Sequence, residues 1–309
     1  EPYVAVRLPF RVAEEMPTCF EAIHPAYLPY VHQQKAFERL TGDDGRSTLV
    51  ATGTGSGKTE CFLYPILEYC YRHRGERGIK ALIIYPMNAL ATDQAKRIAE
   101  LIYGSDELRG NVTVGMYVGG QEHTPARTMS EHGVITDHET MLNNAPDILM
   151  TNYKMLDYLL VRPKDALLWQ DNEPETLKYI AVDELHTFDG AQGTDLACLL
   201  RRLSIYDGYL CCVGTSATMG SKENNGNILN YAEEIFGEPF DKDAIITEDR
   251  LSAQEFFAGA EVTEFTLPTV EQAIELEKLS EEDEPSAYLQ SAVKDWLPNF
   301  SFDVLDDEG

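Results

Sequence analysis

The sequence predicts an α/β domain organised on a mainly parallel sheet flanked by helices, followed by an acidic C-terminal extension. Three observations lead there. From Ser47 to Thr218, short apolar runs alternate with longer amphipathic stretches. Strand, helix, strand at that spacing requires crossover connections, which are right-handed and build a parallel sheet. The segments rich in glycine, acid and hydroxyl groups directly follow the apolar runs, where ligands of such sheets bind. Charge is also divided along the chain: Met219–Gly309 carries 23 acidic and 5 basic residues, a net of −18 out of −27 for the whole.

The expected strands are Thr48–Ala51, Ala81–Tyr85, Val112–Tyr117, Asp147–Thr151, Tyr179–Val182 and Leu210–Gly214. Each is a brief apolar run, the pattern of a strand buried on both faces. Lys58–Tyr71 and Ala89–Tyr103 read as helices between strands, with aromatic residues Phe62, Tyr64 and Tyr69 packed on the sheet. Gly119–Asn144 is polar, with Gly, Thr, Pro and three histidines, and reads as a surface excursion. Past Met219 a polar stretch leads into two expected amphipathic helices, Glu271–Leu279 and Ala287–Trp296. The expected organisation is a lead-in over 1–23, the α/β domain over 24–218, and the extension over 219–309. The acid run Glu281–Pro285 reads most simply as a solvated face or linker.

Bulk properties exclude several classes. An apolar content of 43% is ample for a core. The six cysteines show no CxxC pair, which suits reduced core thiols in a cytoplasmic protein. The histidines show no metal-ligand spacing. No basic stretch leads into an apolar core near Glu1, and no apolar run spans a bilayer, so neither a signal peptide nor a membrane partner is expected. The acidity discourages general attraction to polyanions; phosphates would be held by backbone amides and a local basic track.

Thr52-Gly53-Thr54-Gly55-Ser56-Gly57-Lys58-Thr59 follows one apolar strand and opens a helix, the context of a phosphate-binding loop. Its glycines let successive amides turn inward on phosphate oxygens at a helix N-terminus. Lys58 is placed to reach the β- and γ-phosphates of ATP, and the Thr59 hydroxyl to ligate Mg²⁺. The general pattern has glycine where Thr52 stands. Asp183-Glu184-Leu185-His186 directly follows the run Tyr179–Val182. A strand-end acid there holds Mg²⁺ through water and its neighbour polarises the attacking water, so Asp183 is the metal candidate and Glu184 the general base.

With these residues in place, the stretch from about His24 to Thr218 resembles the superfamily 2 DEAD/DEAH-box helicases. The resemblance implies a RecA-like P-loop domain, the first of two motor domains. Thr at position 52 is common in that superfamily. Tyr30-Val31-His32-Gln33 with Ala36 resembles the adenine-reading Q motif, with Gln33 as the base contact. Tyr85-Pro86-Met87-Asn88-Ala89-Leu90 with Asp93-Gln94 resembles motif Ia. Gly119-Gly120 resembles the glycine element on the nucleic-acid backbone, and Thr151-Asn152-Tyr153 resembles motif Ib. The resemblance makes Pro86, Asn88, Gly119, Gly120, Thr151 and Asn152 nucleic-acid contacts. Thr215-Ser216-Ala217-Thr218 resembles motif III, which with His186 couples ATP state to strand movement.

One stretch narrows the likeness. Leu185-His186-Thr187-Phe188-Asp189-Gly190 through Gly193 to Arg201-Arg202-Leu203 is similar to the extension of Lhr-like and MrfA-like bacterial DNA helicases. This favours DNA over RNA, and very large antiphage-defence helicases share the style. An RNA helicase, or an ATP-driven switch or scaffold that does not unwind, remain the alternatives. Arg201 and Arg202 themselves read first as helix-end or ion-pair residues. No arginine-finger motif of QxxGRxGR type occurs in Met219–Gly309. The resemblance therefore implies a second RecA-like partner domain, leaving this chain with half of an active site. The acidic extension is a candidate surface for protein partners.

Overall fold

In the computed structural model, residues 8–42, 44–53, 55–119, 125–203, 210–217, 225–256, 258 and 269–274 are described. The strands among them are β1 (Thr48–Ala51), β2 (Ala81–Tyr85), β3 (Val114–Tyr117), β4 (Ile148–Asn152), β5 (Tyr179–Val182), β6 (Cys211–Ser216) and β7 (Ile245–Thr247). They join one sheet in the order β3-β4-β2-β5-β6-β1-β7, and each pairing is parallel. The helices are α1 (Val31–Leu40), α2 (Lys58–Arg72), α3 (Asn88–Gly104), α4 (His138–Asn143), α5 (Tyr153–Val161), α6 (Gly190–Leu203), α7 (Asn225–Phe236) and α8 (Ala253–Phe256).

Alternation along the strands supplies two cores. Ala81, Ile83 and Tyr85 of β2 enter one with Phe62, Ile66 and Ile98 from α2 and α3. Leu82 and Ile84 enter the other with Leu159, Leu196 and Phe236 from α5, α6 and α7. Each large apolar side chain buried this way contributes about 1.5–3 kcal/mol. Near the amino ends of the strands, Lys80 is 1% exposed and pairs with Asp147 at 2.6 Å. Asp147 also accepts from the Thr113 amide and hydroxyl, both at 2.7 Å. That knot ties the starts of β2, β3 and β4 together.

The six expected strands and the helices expected at Lys58–Tyr71 and Ala89–Tyr103 are present, with every end within two residues. Three features differ from expectation. β6 runs on to Ser216 because Thr215 and Ser216 pair with Val50 and Ala51 of β1, and their hydroxyls find partners at the site described below. The expected surface excursion over 119–144 sends Val134, Ile135 and Met141 into the interior, and Gly115 bridges Ile135. A seventh strand and α7 lie beyond the expected break at Met219. The first compact unit runs Glu1–Leu251 and the second Ser252–Gly309, so the domain closes later in the chain. Ile245–Thr247 is short and followed by charged residues, which hid it in the pattern.

The lead-in belongs to the first unit as well. Phe20, Ala22 and Ile23 are buried in its core, and buried Glu68 accepts from the amides of Glu21 and Ala22 at 2.9 and 3.0 Å. In the second unit, the described residues comprise α8 and a helical turn over 270–274. That turn overlaps the start of the expected helix Glu271–Leu279; Ala287–Trp296 lies outside the described residues. No helix among the described residues is long and apolar enough to cross a membrane.

Lys80→Met should destabilise the first unit by about 3–5 kcal/mol, because it leaves the Asp147 carboxylate buried without its cation. Urea denaturation checks this; a loss below about 1 kcal/mol would show that water replaces the ammonium.

Candidate nucleotide and nucleic-acid site

Because the strands are parallel, their carboxyl ends lie along one edge of the sheet. The Thr52–Thr59 loop leaves β1 there and enters α2. Gly55 and Gly57 adopt left-handed backbone angles, φ +76° and +71°, which side chains other than glycine rarely take. A Cβ on Gly57 would also stand 2.2 Å from Gln33 Nε2. Ser56 Oγ donates to the Gly53 carbonyl at 2.7 Å. Its single proton is thereby used, so the 2.7 Å contact with Thr52 is a bond donated by the Thr52 hydroxyl. A threonine at position 52 thus braces the loop internally. Thr54 lies outside the described residues.

The Q-motif candidates touch the same loop. Gln33 Oε1 accepts from the Tyr30 amide at 2.9 Å, and Gln33 Nε2 donates to the Gly57 carbonyl at 3.2 Å. One N–H and one lone pair of the amide stay available for a base edge. His32, which motif reading passed over, is fully buried, with Nε2 2.7 Å from the Ser56 carbonyl. A carbonyl only accepts, so that nitrogen carries the proton, while Nδ1 is buried without a hydrogen-bond partner. Burial pulls the imidazole pKa below its ordinary value, partly opposed by the Ser56 bond, and the ring stays neutral.

Across the sheet edge, the Val182–Gly214 pairing places Asp183 beside Thr215. Thr215 Oγ1 donates to Asp183 Oδ1 and accepts from the Glu184 amide at 3.1 Å. Glu184 is the one non-glycine residue with positive φ among those described, at 51°. Such backbone costs on the order of 1–3 kcal/mol and clusters at functional sites. It aims the carboxylate at Lys58 Nζ, 3.2 Å away, with His186 Nδ1 3.3 Å from its other oxygen. Ser216 Oγ lies 3.0 Å from His186 Nδ1. Motifs II and III are thus joined at two points. Burial raises the Asp183 pKa, the Thr215 bond opposes it, Glu184 adds to it and Lys58 opposes it. Ala217 is half-buried at the end of this contact, and Thr218 lies outside the described residues.

The nucleic-acid candidates gather at the ends of β2, β3 and β4. Asn152 Nδ2 donates to Asn88 Oδ1 at 2.6 Å, and Asn88 Nδ2 donates to the Gly119 carbonyl at 2.9 Å. Asn152 Oδ1 also caps α5 through the Met155 amide at 2.8 Å. Asn88 is exposed, while Pro86 and Gly119 are half-buried; Gly120 lies outside the described residues. Thr151 is 0% exposed and donates to the Tyr117 carbonyl at 2.7 Å. It braces this surface from beneath, because its strand position points it into the sheet layer. Arg201 donates to the Glu234 carbonyl and Arg202 pairs with Asp157, as helix-end residues do.

A cleft of about 880 Å³ opens between these elements, with Gln33, Lys58, Thr59, Asp183 and Glu184 in its walls. Leu90, Gln94 and Arg97 of α3 line it too. Leu90 and Gln94 belong to the motif Ia stretch; Arg97 was not singled out in the sequence, and its helical spacing from them is the signal that could have revealed it. Left-handed glycines, a lysine and an α2 N-terminus fit a polyphosphate. The Thr59 hydroxyl and the Asp183 carboxylate are hard oxygen donors suited to Mg²⁺. Among the described residues, no group of three or more His, Cys, Asp or Glu could hold a metal.

A family model described as DEAD/DEAH box helicase matches residues 30–225. The chain belongs to that family. This DEAD/DEAH-box chain is 28% identical to Druantia protein DruE of Escherichia coli, over 68% of this chain and 17% of that protein. It is 31% identical to the uncharacterized ATP-dependent helicase YprA of Bacillus subtilis, over 68% of this chain and 25% of that protein. It therefore spans a quarter or less of these relatives. The crystal structure of DUF1998 helicase MrfA bound to DNA and AMPPNP aligns with a TM-score of 0.57 at 27% identity, covering 77% of this chain and 31% of that one. The RecA-like fold is also shared with DEAD-box helicase Mss116, at a TM-score of 0.52 over 73% of this chain and 41% of that one, at 20% identity.

The raised Asp183 pKa has a consequence for stability. A carboxyl whose folded pKa lies above its unfolded value destabilises the fold at pH above both, and the penalty fades as pH falls through them. Asp183→Asn should therefore raise the melting temperature at neutral pH, with the gain shrinking toward pH 4. A gain independent of pH would sink this account.

Proposed function

We propose that the chain is the first motor domain of an ATP-dependent DNA helicase or translocase. Lys58 holds the β- and γ-phosphates, Thr59 and, through water, Asp183 hold Mg²⁺, and Glu184 acts as general base. The observation that carries this reading is the Lys58–Glu184 contact of 3.2 Å, formed by residues 126 positions apart. It sets the phosphate-binding and water-activating candidates face to face at the floor of one cleft. Gln33 reads adenine with the remaining capacity of its amide. Thr215, Ser216 and His186 carry the state of the site toward the partner domain. Asn88, Gly119 and Asn152 meet the sugar-phosphate backbone, which positions a strand without reading its sequence.

DNA is favoured over RNA by the extension after motif II and by the similarity to a DNA-bound MrfA structure at 27% identity. A place in bacterial antiphage defence is supported by the likeness to the Druantia protein. The acidic extension serves as a link or a partner surface. An arginine finger contributes on the order of 10³–10⁵ in rate in related phosphoryl transfer. A second RecA-like domain would supply it, so we expect residues 1–309 alone to hydrolyse ATP very slowly and to unwind nothing.

Lys58→Ala should abolish nucleotide binding or turnover, whereas Glu184→Gln should bind ATP yet fail to hydrolyse it, because Asp183 remains. Equal loss of binding in both variants, measured with a fluorescent ATP analogue, would overturn the division of roles. Gln33→Ala should weaken ATP more than GTP; indifference to the base before mutation would remove the Q-motif assignment. DNA- and RNA-stimulated ATPase assays on the protein carrying both motor domains separate the two substrates, and stimulation by RNA alone would reverse the choice of DNA.

A further inference from the structure

The phosphate loop is held from outside by residues that include Glu248, which lies beyond the motifs read above. The amide of Gly53 donates to Glu248 Oε2 at 2.9 Å. Glu248 lies just past β7, 195 positions from Gly53. Arg250 clasps the same carboxylate, Nε to Oε1 at 2.8 Å and Nη2 to Oε2 at 3.4 Å. Its guanidinium lies 3.9 Å over the ring of Phe10. Phe10 and Arg250 form an antiparallel bridge, extended by the Arg11 amide on the Asp249 carbonyl at 2.8 Å and the Leu251 amide on the Pro9 carbonyl at 3.0 Å. The Phe10 ring also meets His32 edge-on, with centroids 5.5 Å apart, and His32 holds Ser56. Three segments remote in sequence therefore form a clip that grips the loop, Glu248 at Gly53 and His32 at Ser56.

We propose that this clip presets the loop for nucleotide, with Glu248 a positioning residue of the ATP site and Arg250 its charge balance. A loop with several glycines has many conformations to lose when it closes around phosphates. Fixing Gly53 in the folded chain moves that ordering cost out of the binding step. A carboxylate is a strong acceptor for an amide, but it is also an anion beside the seat of a polyanion. The guanidinium offsets that charge, so the loop keeps the bond without the repulsion. The inference rests on the ATP-site reading above and adds a role for residues outside it.

The test is binding of a fluorescent ATP analogue with Mg²⁺ to the full chain, with thermal melting recorded for each variant. Glu248→Ala should weaken binding by about tenfold, the scale of one hydrogen bond to a charged group. Glu248→Gln keeps an acceptor oxygen and should recover most of that loss. Arg250→Ala removes the guanidinium that offsets this carboxylate's charge; it should weaken binding, with the deficit shrinking as salt is raised. Adding Glu248→Gln to Arg250→Ala should restore affinity, a non-additive result that a merely structural role would not give. Unchanged affinity in Glu248→Ala, or no recovery with glutamine, overturns the proposal. If Glu248→Ala does not fold, the comparison of Arg250→Ala with the double variant decides, and absence of restoration overturns it. Lys58→Ala is the control: if it binds as well as the parent, the ATP-site reading fails instead.

Discussion

The hydroxyl of Thr215 donates to the buried Asp183 carboxylate and accepts the amide of Glu184, and the chemistry at the sheet edge depends on that pair of bonds. β5 and β6 are held in register by their backbone ladder, so the residues just beyond Val182 and Gly214 stand side by side. A slip in that pairing would turn Asp183 or Thr215 to the wrong face. Held as they are, one bond satisfies the Asp183 carboxylate, whose pKa burial raises, and the other fixes the Glu184 amide on the same hydroxyl. They also keep Glu184 in a backbone conformation that it would not adopt freely. The ladder's regularity thus becomes the precision of the site.

The same economy governs the phosphate loop. Glycines make its shape accessible, yet accessibility is not order. Order comes from a ring of bonds: Thr52 to Ser56, Ser56 to Gly53, His32 to Ser56 and Gln33 to Gly57. The buried histidine takes part as a neutral donor. Enclosure pulls its pKa below the ordinary value. The cleft beside it is lined by groups whose own pairing, Lys58 with Glu184 and Arg97 with Glu60, holds charges in place for an incoming polyanion.

Much of this was legible in the residues, for reasons that differ from element to element. Lys58 and Asp183 sit where apolar runs end, and a parallel sheet carries such ends to one edge whatever the details. Asn88, Gly119 and Asn152 come together by the same rule. Thr151 reads as a surface contact in a motif, but it sits in a strand buried on both faces, and it supports the surface instead. The seventh strand was hidden because Ile245–Thr247 is three residues long and gains its place from β1 rather than from its own pattern. Glu248 left no trace at all, since its importance exists only once a remote amide stands 2.9 Å away. His32 was adjacent to a recognised residue, but only burial distinguishes it from a polar helix face.

The left-handed backbone at Glu184 bears on how this chain would drift under selection for robustness alone. Glycine or asparagine would adopt that conformation at lower cost, so a search through variants for thermal tolerance should repeatedly empty position 184 of its carboxylate. If Glu184 has the role proposed for it, libraries built to harden this domain should keep residue 184 fixed, because a hardened survivor with glycine there would have exchanged its general base for an easier backbone.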